Sequence, residues 1–285
     1  MIKLLVGGSP CKKWSCSQKK DREIEAKGIG WELFKNYKIA RDRFCPDFFL
    51  YENNKSAAQA IKDQISQELG VSLMHINSSL VSAQNRERFY AFNWEVDQPE
   101  DRGIQLQHII ETPAVEVIGC ARRGRLSDGR WVQRTEYRED EKANALTTVE
   151  KDSMVLCDGV LRNLTITECH RLQTLPDGYC DCIPKSQQRT AIGNGWTAEI
   201  IIHILNGALR SVPRDEEIVV LSMYDGIATG RYCLDKMGFT NVTYYAYEID
   251  PYAIEVAKNN YPDIVHLGDA FEVRNPDWFL SRIER

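Results

Sequence analysis

The chemistry of this chain begins near its amino-terminal end, where the apolar run Ile2 to Val6 leads into Gly7-Gly8-Ser9-Pro10-Cys11-Lys12-Lys13-Trp14-Ser15. A thiol just past the carboxyl end of a strand stands where open α/β sheets hold their ligands. Paired glycines allow close backbone approach, and Lys12 and Lys13 favour the thiolate. Cys11 is therefore a candidate nucleophile, although the segment alone equally fits a buried structural cysteine before a turn. A second apolar run, Phe48 to Tyr51, ends in Glu52-Asn53-Asn54. Glu52 is then expected at the same sheet edge, able to hold a proton and hydrogen-bond a ring nitrogen. In Gln84-Asn85-Arg86-Glu87-Arg88 an extended backbone would put Gln84, Arg86 and Arg88 on one face, which a plain solvated edge strand would also show.

The carboxyl-terminal part carries a different pattern. Val219-Val220-Leu221-Ser222-Met223-Tyr224-Asp225-Gly226-Ile227-Ala228-Thr229-Gly230 reads as strand, glycine turn and helix start. Glu248 lies 22 residues past Gly226, the spacing of the acid that receives ribose hydroxyls in dinucleotide folds, and Asp269 ends the strand after it. The turn lacks the full Gly-x-Gly-x-x-Gly, so a nucleoside without a pyrophosphate fits better. Cys169-His170 with Cys180 and Cys182 lacks a Cys-x-x-Cys pair, and no metal site is expected.

Short apolar runs alternating with longer amphipathic ones must position these groups, a βα rhythm at both ends of the chain. Strands are expected at Ile2 to Val6, Phe48 to Tyr51, Val71 to Ile76, Arg88 to Trp94, Ile218 to Met223, Thr243 to Tyr247 and Ile264 to Leu267, with helices over Ser56 to Leu69 and Ala228 to Met237. Asp250 should cap a helix with Pro251 in its first turn, and a further helix is expected over Pro276 to Ile283. From Glu95 to Leu161 the pattern turns Arg-rich and strand-like, with Ser127-Asp128-Gly129 as a hairpin turn. The expected organisation is a catalytic half over 1–94, a small inserted module over 95–161, and the remainder with the cofactor-binding half over 162–285.

Composition bounds the function classes. With 285 residues, 43% hydrophobic and 27% charged, the chain can bury a real core, which excludes disorder and disulfide-stapled miniature folds. No apolar run approaches the roughly 20 residues of a membrane span, and no secretory signal is evident, so a soluble, cytoplasmic protein with free thiols is expected. The net charge of -5 hides an asymmetry. Lys12 to Arg43 holds ten basic and five acidic residues, and Arg122 to Arg138 holds six arginines against two acids. Ser211 to Arg285 has seven basic against thirteen acidic, which suits a part that meets no phosphate backbone.

Taken together, these motifs resemble the C5-cytosine DNA methyltransferases in cyclically permuted order, with Pro10-Cys11 opening the chain and the cofactor motifs closing it. The resemblance implies an α/β fold: a Rossmann-like methyltransferase mixed sheet with a small inserted target-recognition module, and chain ends close together at the surface. It also implies transfer of a methyl group from S-adenosylmethionine, leaving S-adenosylhomocysteine, to C5 of a cytosine flipped out of double-stranded DNA. In that reading Cys11 attacks C6, Glu52 contacts the base, and Arg86 and Arg88 match the Gln-x-Arg-x-Arg element that supports it. Arg162-Asn163-Leu164-Thr165 through Gln173 is similar to the family segment that supports the recognition module. Tyr224, Asp225, Gly226, Ile227, Glu248, Ile249, Asp269, Asn194 and Trp196 would bind the cofactor. Lys12, Lys13 and Ser15 would hold the DNA backbone, while Arg122, Arg123, Arg125, Arg130 and Arg134 would meet DNA from the module. The implied partners are duplex DNA and a restriction endonuclease of the same system, for a monomer or weak oligomer. An RNA cytosine methyltransferase and a non-catalytic DNA-binding relative are the competing readings. Asn54 in place of Val, and Lys12-Lys13-Trp14 in place of Gln-Gly-Phe, depart from the family pattern without removing a catalytic group.

Overall fold

A computed structural model describes residues 1–10, 12–15 and 21–278. In chain order the elements are β1 (Ile2–Gly7), α1 (Ile29–Phe44), β2 (Phe48–Asn54), α2 (Gln59–Leu69), β3 (Leu73–Asn77), β4 (Gln84–Asn85), β5 (Glu87–Phe92), β6 (Val117–Ser127) and β7 (Arg130–Tyr137). They continue with β8 (Ala143–Asn144), β9 (Met154–Cys157), β10 (Val160–Asn163), α3 (Ile166–Leu172), α4 (Lys185–Asn194), α5 (Ala198–Leu209), β11 (Ile218–Met223), α6 (Thr229–Lys236), β12 (Val242–Tyr247), α7 (Pro251–Asn260) and β13 (Val265–Gly268). The chain forms two compact units: one of residues 1–76, 88–96 and 204–285, the other of 77–87 and 97–203.

The first unit is α/β, built on a mixed seven-stranded sheet in the order β13-β12-β11-β1-β2-β5-β3. β1 pairs in parallel with both β11 and β2, β12 is parallel to β11 and to β13, and β5 is antiparallel to β2. Between β11 and β1 the winding reverses: the chain moves outward to β12 and β13 on one side and from β1 to β2 on the other. Counted cyclically from β11, the first five strands stand in the order third, second, first, fourth, fifth, that of doubly wound nucleotide folds.

Alternation explains the sheet's burial. Leu5, Phe49, Tyr51, Phe89, Ala91, Val219, Leu221 and Met223 form one face of a core that takes in Trp31, Phe34, Tyr37, Ala40 and Phe44 of α1 and Ile61, Ile65 and Leu69 of α2. The intervening residues Leu4, Val6, Leu50, Val220, Tyr244 and Ala246 are buried as well, as in a sheet covered on both faces. Asp250 does cap α7, accepting from the N–H groups of Tyr252 and Ala253, with Pro251 at the first turn. Helix α1 has no side-chain cap and starts at Gly28 in the left-handed region (φ 84°), so no start signal marked it in the sequence. The expected helix Pro276 to Ile283 lies largely outside the described residues, and Pro276 to Trp278 are not helical.

The second unit carries a four-stranded antiparallel sheet, β10-β9-β6-β7, and a short parallel pair of β4 with β8. The expected hairpin turn is present: Ser127 pairs with Arg130, while Asp128 (φ 50°) and Gly129 (φ 75°) take the positive φ that a two-residue hairpin loop demands. The unit exceeds the module expected over 95–161, because 77–87 and 162–203 fold with it. The segment from Arg162 to Gln173 shows why. Thr165 and Glu168 form a capping box, Glu168 receives both terminal nitrogens of Arg162 at 2.8 and 2.7 Å, and Gln173 donates to the carbonyls of Ile192 and Gly195. Among the described residues no helix is long and apolar enough to cross a membrane.

Candidate functional site

Strand register alone brings four of the sequence candidates, Glu52, Tyr224, Glu248 and Asp269, to one edge of the first unit. Gly7 pairs with Tyr51 on one side and Met223 on the other, Met223 pairs with Tyr247, and Tyr247 with Gly268. One row therefore crosses five strands, and the next residue on each is Glu52, Gly8, Tyr224, Glu248 and Asp269. With neighbouring strands about 4.8 Å apart, the ends of β2 and β12 stand on the order of 14 Å from each other. That spans a nucleoside with a short tail.

Cys11 lies outside the described residues, and what the structure gives is the approach to it. A Cβ on Gly8 would stand 2.6 Å from the carbonyl oxygen of Glu52 and 3.0 Å from Glu52 Oε2, so only glycine lets this turn lie against the acid. Ser9 is then tied to β2: its Oγ is 2.7 Å from Tyr51 Oη, and Asn53 Nδ2 donates to the Ser9 carbonyl at 2.9 Å and to Tyr51 Oη at 3.0 Å. Ser9 and Asn53 are almost fully buried. Gly8 was expected to allow close backbone approach; Ser9, Tyr51 and Asn53 were not singled out in the sequence, though all three flank or belong to motifs that were.

Glu52 Oε1 pairs with Arg88 Nε at 3.0 Å, and both side chains are mostly shielded. Arg88 stands opposite Asn54 in the β2–β5 register, so the antiparallel strand aims it at the acid. Arg86 is held differently. The chain leaves strand geometry at this residue, and Arg86 is buried in the second unit, donating to the carbonyls of Leu146 (2.8 Å), Gly193 (3.2 Å) and Gly195 (2.9 Å). Gln84 is buried in that unit too, bonded to Leu172 and Gln173. The single face expected for Gln84, Arg86 and Arg88 is thus broken, and the first two hold carbonyls and amides together.

At the other end of the row, Glu248 is held by main chain: Gly226 N–H donates to Oε2 at 2.8 Å, and the N–H groups of Ile249 and Asp250 donate to Oε1 at 2.8 and 2.9 Å. Three of its roughly four acceptor positions are filled, which fixes the carboxylate and leaves about one for a ligand hydroxyl. Tyr224 sits in the left-handed region (φ 60°), a strained setting for a tyrosine. Its hydroxyl donates to the Leu33 carbonyl at 2.8 Å and accepts from Asn36 Nδ2 at 3.2 Å, so α1 fixes the ring. Asp269 caps the next turn through Phe271 N–H at 2.9 Å, and Phe271 is partly exposed beside it. Where side chains would stand on Gly226 and Gly268 there is open space.

Asp225 and Ile227 turn inward instead. Asp225 Oδ1 accepts from Ser222 Oγ at 2.6 Å and Tyr244 Oη at 2.7 Å, while Oδ2 is buried without a hydrogen-bond partner. Burial, only partly offset by the two hydroxyls, pushes this carboxyl up to about 6. Ile227 is buried and Ile249 is exposed. Asn194 and Trp196, at the end of α4 and just beyond, belong to the second unit, Asn194 exposed and Trp196 half-buried.

The basic stretch from Lys12 to Arg43 is in good part engaged internally. Arg41 donates to the Leu69 carbonyl, Arg43 to those of Val273 and Pro276, and Lys38 pairs with Asp42. Lys12 is exposed, with Lys13 and Ser15 half-buried. In the second unit Arg122, Arg125, Arg130 and Arg134 are exposed and Arg123 is half-buried. Cys169 and His170 are likewise committed: Cys169 Sγ meets Arg189 at 3.4 Å, and His170 Nε2 accepts the Cys180 N–H at 3.2 Å.

No known family model matches the chain, and no curated protein matches it either. Chemically, the edge offers a fixed acid with an arginine at one end and, at the other, two aromatic rings and two carboxylates on adjacent strand ends. The second group suits a nucleoside with a free diol; the first suits a polar heterocycle.

Proposed function

We propose that the chain is a DNA (cytosine-5)-methyltransferase with a Rossmann-like methyltransferase sheet. What carries the reading is the single row of strand ends that aligns Gly8 and Glu52 with Tyr224, Glu248 and Asp269 in one unit. The reversal of winding between β1 and β11 supports it, because open α/β sheets bind ligands beyond the carboxyl ends of strands at such a point.

Cytosine C5 is a weak nucleophile, and the chain's own groups must make it carbanion-like. Addition of the Cys11 thiolate to C6 breaks the C5–C6 double bond, and hydrogen bonding between the Glu52 carboxyl group and N3 takes up the developing charge, leaving an enamine. Arg88 orients Glu52 through Oε1, and Gly8 keeps the turn against the acid. S-adenosylmethionine, which Tyr224, Glu248 and Asp269 would hold, would supply the methyl group to C5, its sulfonium sulfur leaving as the thioether. Loss of the C5 proton and departure of the Cys11 sulfur then restore the aromatic base. Because C6 is enclosed in a stacked duplex, the target nucleotide has to leave the helix, at a cost of a few kcal/mol.

The test is incorporation of labelled methyl from S-adenosylmethionine into duplex DNA and into tRNA side by side. The proposal expects label at C5 of cytosine in DNA, lost in Cys11→Ala. Label in tRNA alone would select the RNA enzyme, and no label in either, with DNA still bound, would select a binding protein without catalysis.

A further inference from the structure

Helix α1 buries one amide among the aromatic rings of its inner stripe. Asn36 is fully buried beside the positions of Trp31, Phe34 and Tyr37. Amide groups away from water are tolerated only when both ends are met, and here the partners fix the direction of every bond. Arg274 Nε, which can only donate, gives its proton to Asn36 Oδ1 at 2.5 Å. The opposite end is then Nδ2, which donates to Tyr224 Oη at 3.2 Å, and the phenol proton goes on to the Leu33 carbonyl at 2.8 Å. Burial, with the nearby Asp269 charge, raises the Tyr224 phenol and keeps it a neutral donor. Three bonds thus run one way, from the helical turn Ala270–Arg274 through α1 to the residue that follows β11. They hold the left-handed backbone of Tyr224 (φ 60°), a conformation that persists only where its surroundings impose it.

The same arginine meets a second ring. Its guanidinium lies 4.8 Å from the centroid of Phe271, and Nη2 donates to the Glu32 carbonyl at 2.9 Å and to Glu32 Oε2 at 3.0 Å. These contacts commit the cation within the first unit, and the Phe271 ring it covers on one side is 36% exposed. One guanidinium therefore sets both aromatic side chains at the Asp269 end of the row of strand ends. We propose that Arg274 and Asn36 are positioning residues for the adenine of the methyl donor, fixing the Tyr224 and Phe271 rings before the ligand arrives. This rests on the cofactor assignment above and deepens it. Rings ordered in advance lose no rotamer freedom on binding. Released rings have to be ordered by the ligand, so affinity falls while turnover at saturating donor does not.

Arg43 separates positioning from mere support. It also reaches from α1 to this segment, donating to the carbonyls of Val273 at 2.8 Å and Pro276 at 3.0 Å, with no bond to Asn36, Tyr224 or Phe271 among the described residues. The experiment is calorimetric titration of the full chain with S-adenosylhomocysteine in the absence of DNA, beside thermal unfolding of each variant. Arg274→Ala should weaken binding roughly tenfold and raise the KM for S-adenosylmethionine by the same factor, with kcat close to the parental value. Tyr224→Phe keeps the ring and loses the tether, and should weaken binding about fivefold. Added to Arg274→Ala it should weaken binding by no more than a further factor of about two, because both break one chain. Arg43→Ala should lower the unfolding temperature at least as much as Arg274→Ala and leave the affinity nearly unchanged. Parental affinity in Tyr224→Phe or Arg274→Ala overturns the proposal, and so does an equal loss in Arg43→Ala, which would make Arg274 a support of the fold alone. If Arg274→Ala fails to fold, Tyr224→Phe against Arg43→Ala decides by the same criteria. If the parent itself binds no S-adenosylhomocysteine, the cofactor reading fails and takes this inference with it; parental binding with unaffected variants leaves that reading standing.

Discussion

At the carboxyl edge of the seven-stranded sheet the acids are met from within their own unit: Glu52 by Arg88, Asp225 by two hydroxyls, Glu248 by three main-chain N–H groups. On the β6–β7 ribbon Arg123 and Arg125 share one glutamate, and Trp131 is largely exposed. The contrast separates two kinds of work. Groups that take part in bond making have to be held before the substrate arrives, because orientation and preorganised charge supply much of the rate. On the proposed function, the exposed arginines would instead meet a polyanion, where long, adaptable side chains gain their energy from phosphates.

The two arginines of one sequence motif give the sharpest way to break this division. Arg86→Ala should cost about 3–5 kcal/mol in denaturant unfolding, since a buried cation vanishes and three carbonyls lose their donor. Arg88→Ala should cost about 1 kcal/mol or less in the same assay and yet lower methyl transfer at least a hundredfold. Equal destabilisation by the two would erase the distinction between the fold residue and the site residue.

Acid should act on the two units with opposite signs. The Asp225 carboxyl is raised in the folded state, so between the unfolded value near 4 and about 6 the folded chain holds the extra proton, and stability falls as pH rises through that window. A shift of about 2 units corresponds to about 3 kcal/mol at neutral pH, and Asp225→Asn should remove most of that slope. Glu168 is the converse: burial opposes its charge, but the Arg162 fork and the N–H groups of Thr165 and Glu111 hold its carboxyl below the usual range. Its contribution is present above the unfolded value and is lost only as pH falls through the lowered folded one. Unfolding curves from pH 7 down to 3, for Asp225→Asn and Glu168→Gln, check both signs.

Gly8→Ala is the smallest change and the most local. A methyl group there meets the Glu52 carbonyl and carboxylate, so the turn has to shift. The fold should lose about 1–2 kcal/mol while methyl transfer drops at least tenfold. Transfer at the parental rate would detach the turn from the acid.

The row of strand ends was legible because each member obeys a local rule: an apolar run, then a glycine or an acid. Glu52, Tyr224, Glu248 and Asp269 could be placed on strand ends from spacing alone, and register then put them on one edge. Arg86 was not legible, because what pulls it out of the strand is a set of carbonyls 60 to 109 residues away. Asp225 and Ile227 follow the same lesson, since a turn that offers main chain outward can turn its side chains inward. Helix α1 was missed for lack of a cap, although Trp31, Phe34, Tyr37, Ala40 and Phe44 carry its period. The second unit extends past Leu161 because the partners of Arg162 to Gln173 lie at Glu111, Ile192 and Gly195, contacts that no local pattern shows.

The central claim, that a thiolate from the first turn works beside Glu52 on a flipped cytosine, is tested most directly by trapping on a duplex carrying 5-fluorocytosine in the presence of S-adenosylmethionine. Fluorine at C5 cannot leave as a proton does, so the sulfur cannot depart once the methyl group has been transferred. The account predicts a covalent protein–DNA complex whose peptide map places the link at Cys11, absent in Cys11→Ala and strongly reduced in Glu52→Gln. A link at another cysteine, or methylated DNA with no adduct on the fluorinated duplex, would contradict it.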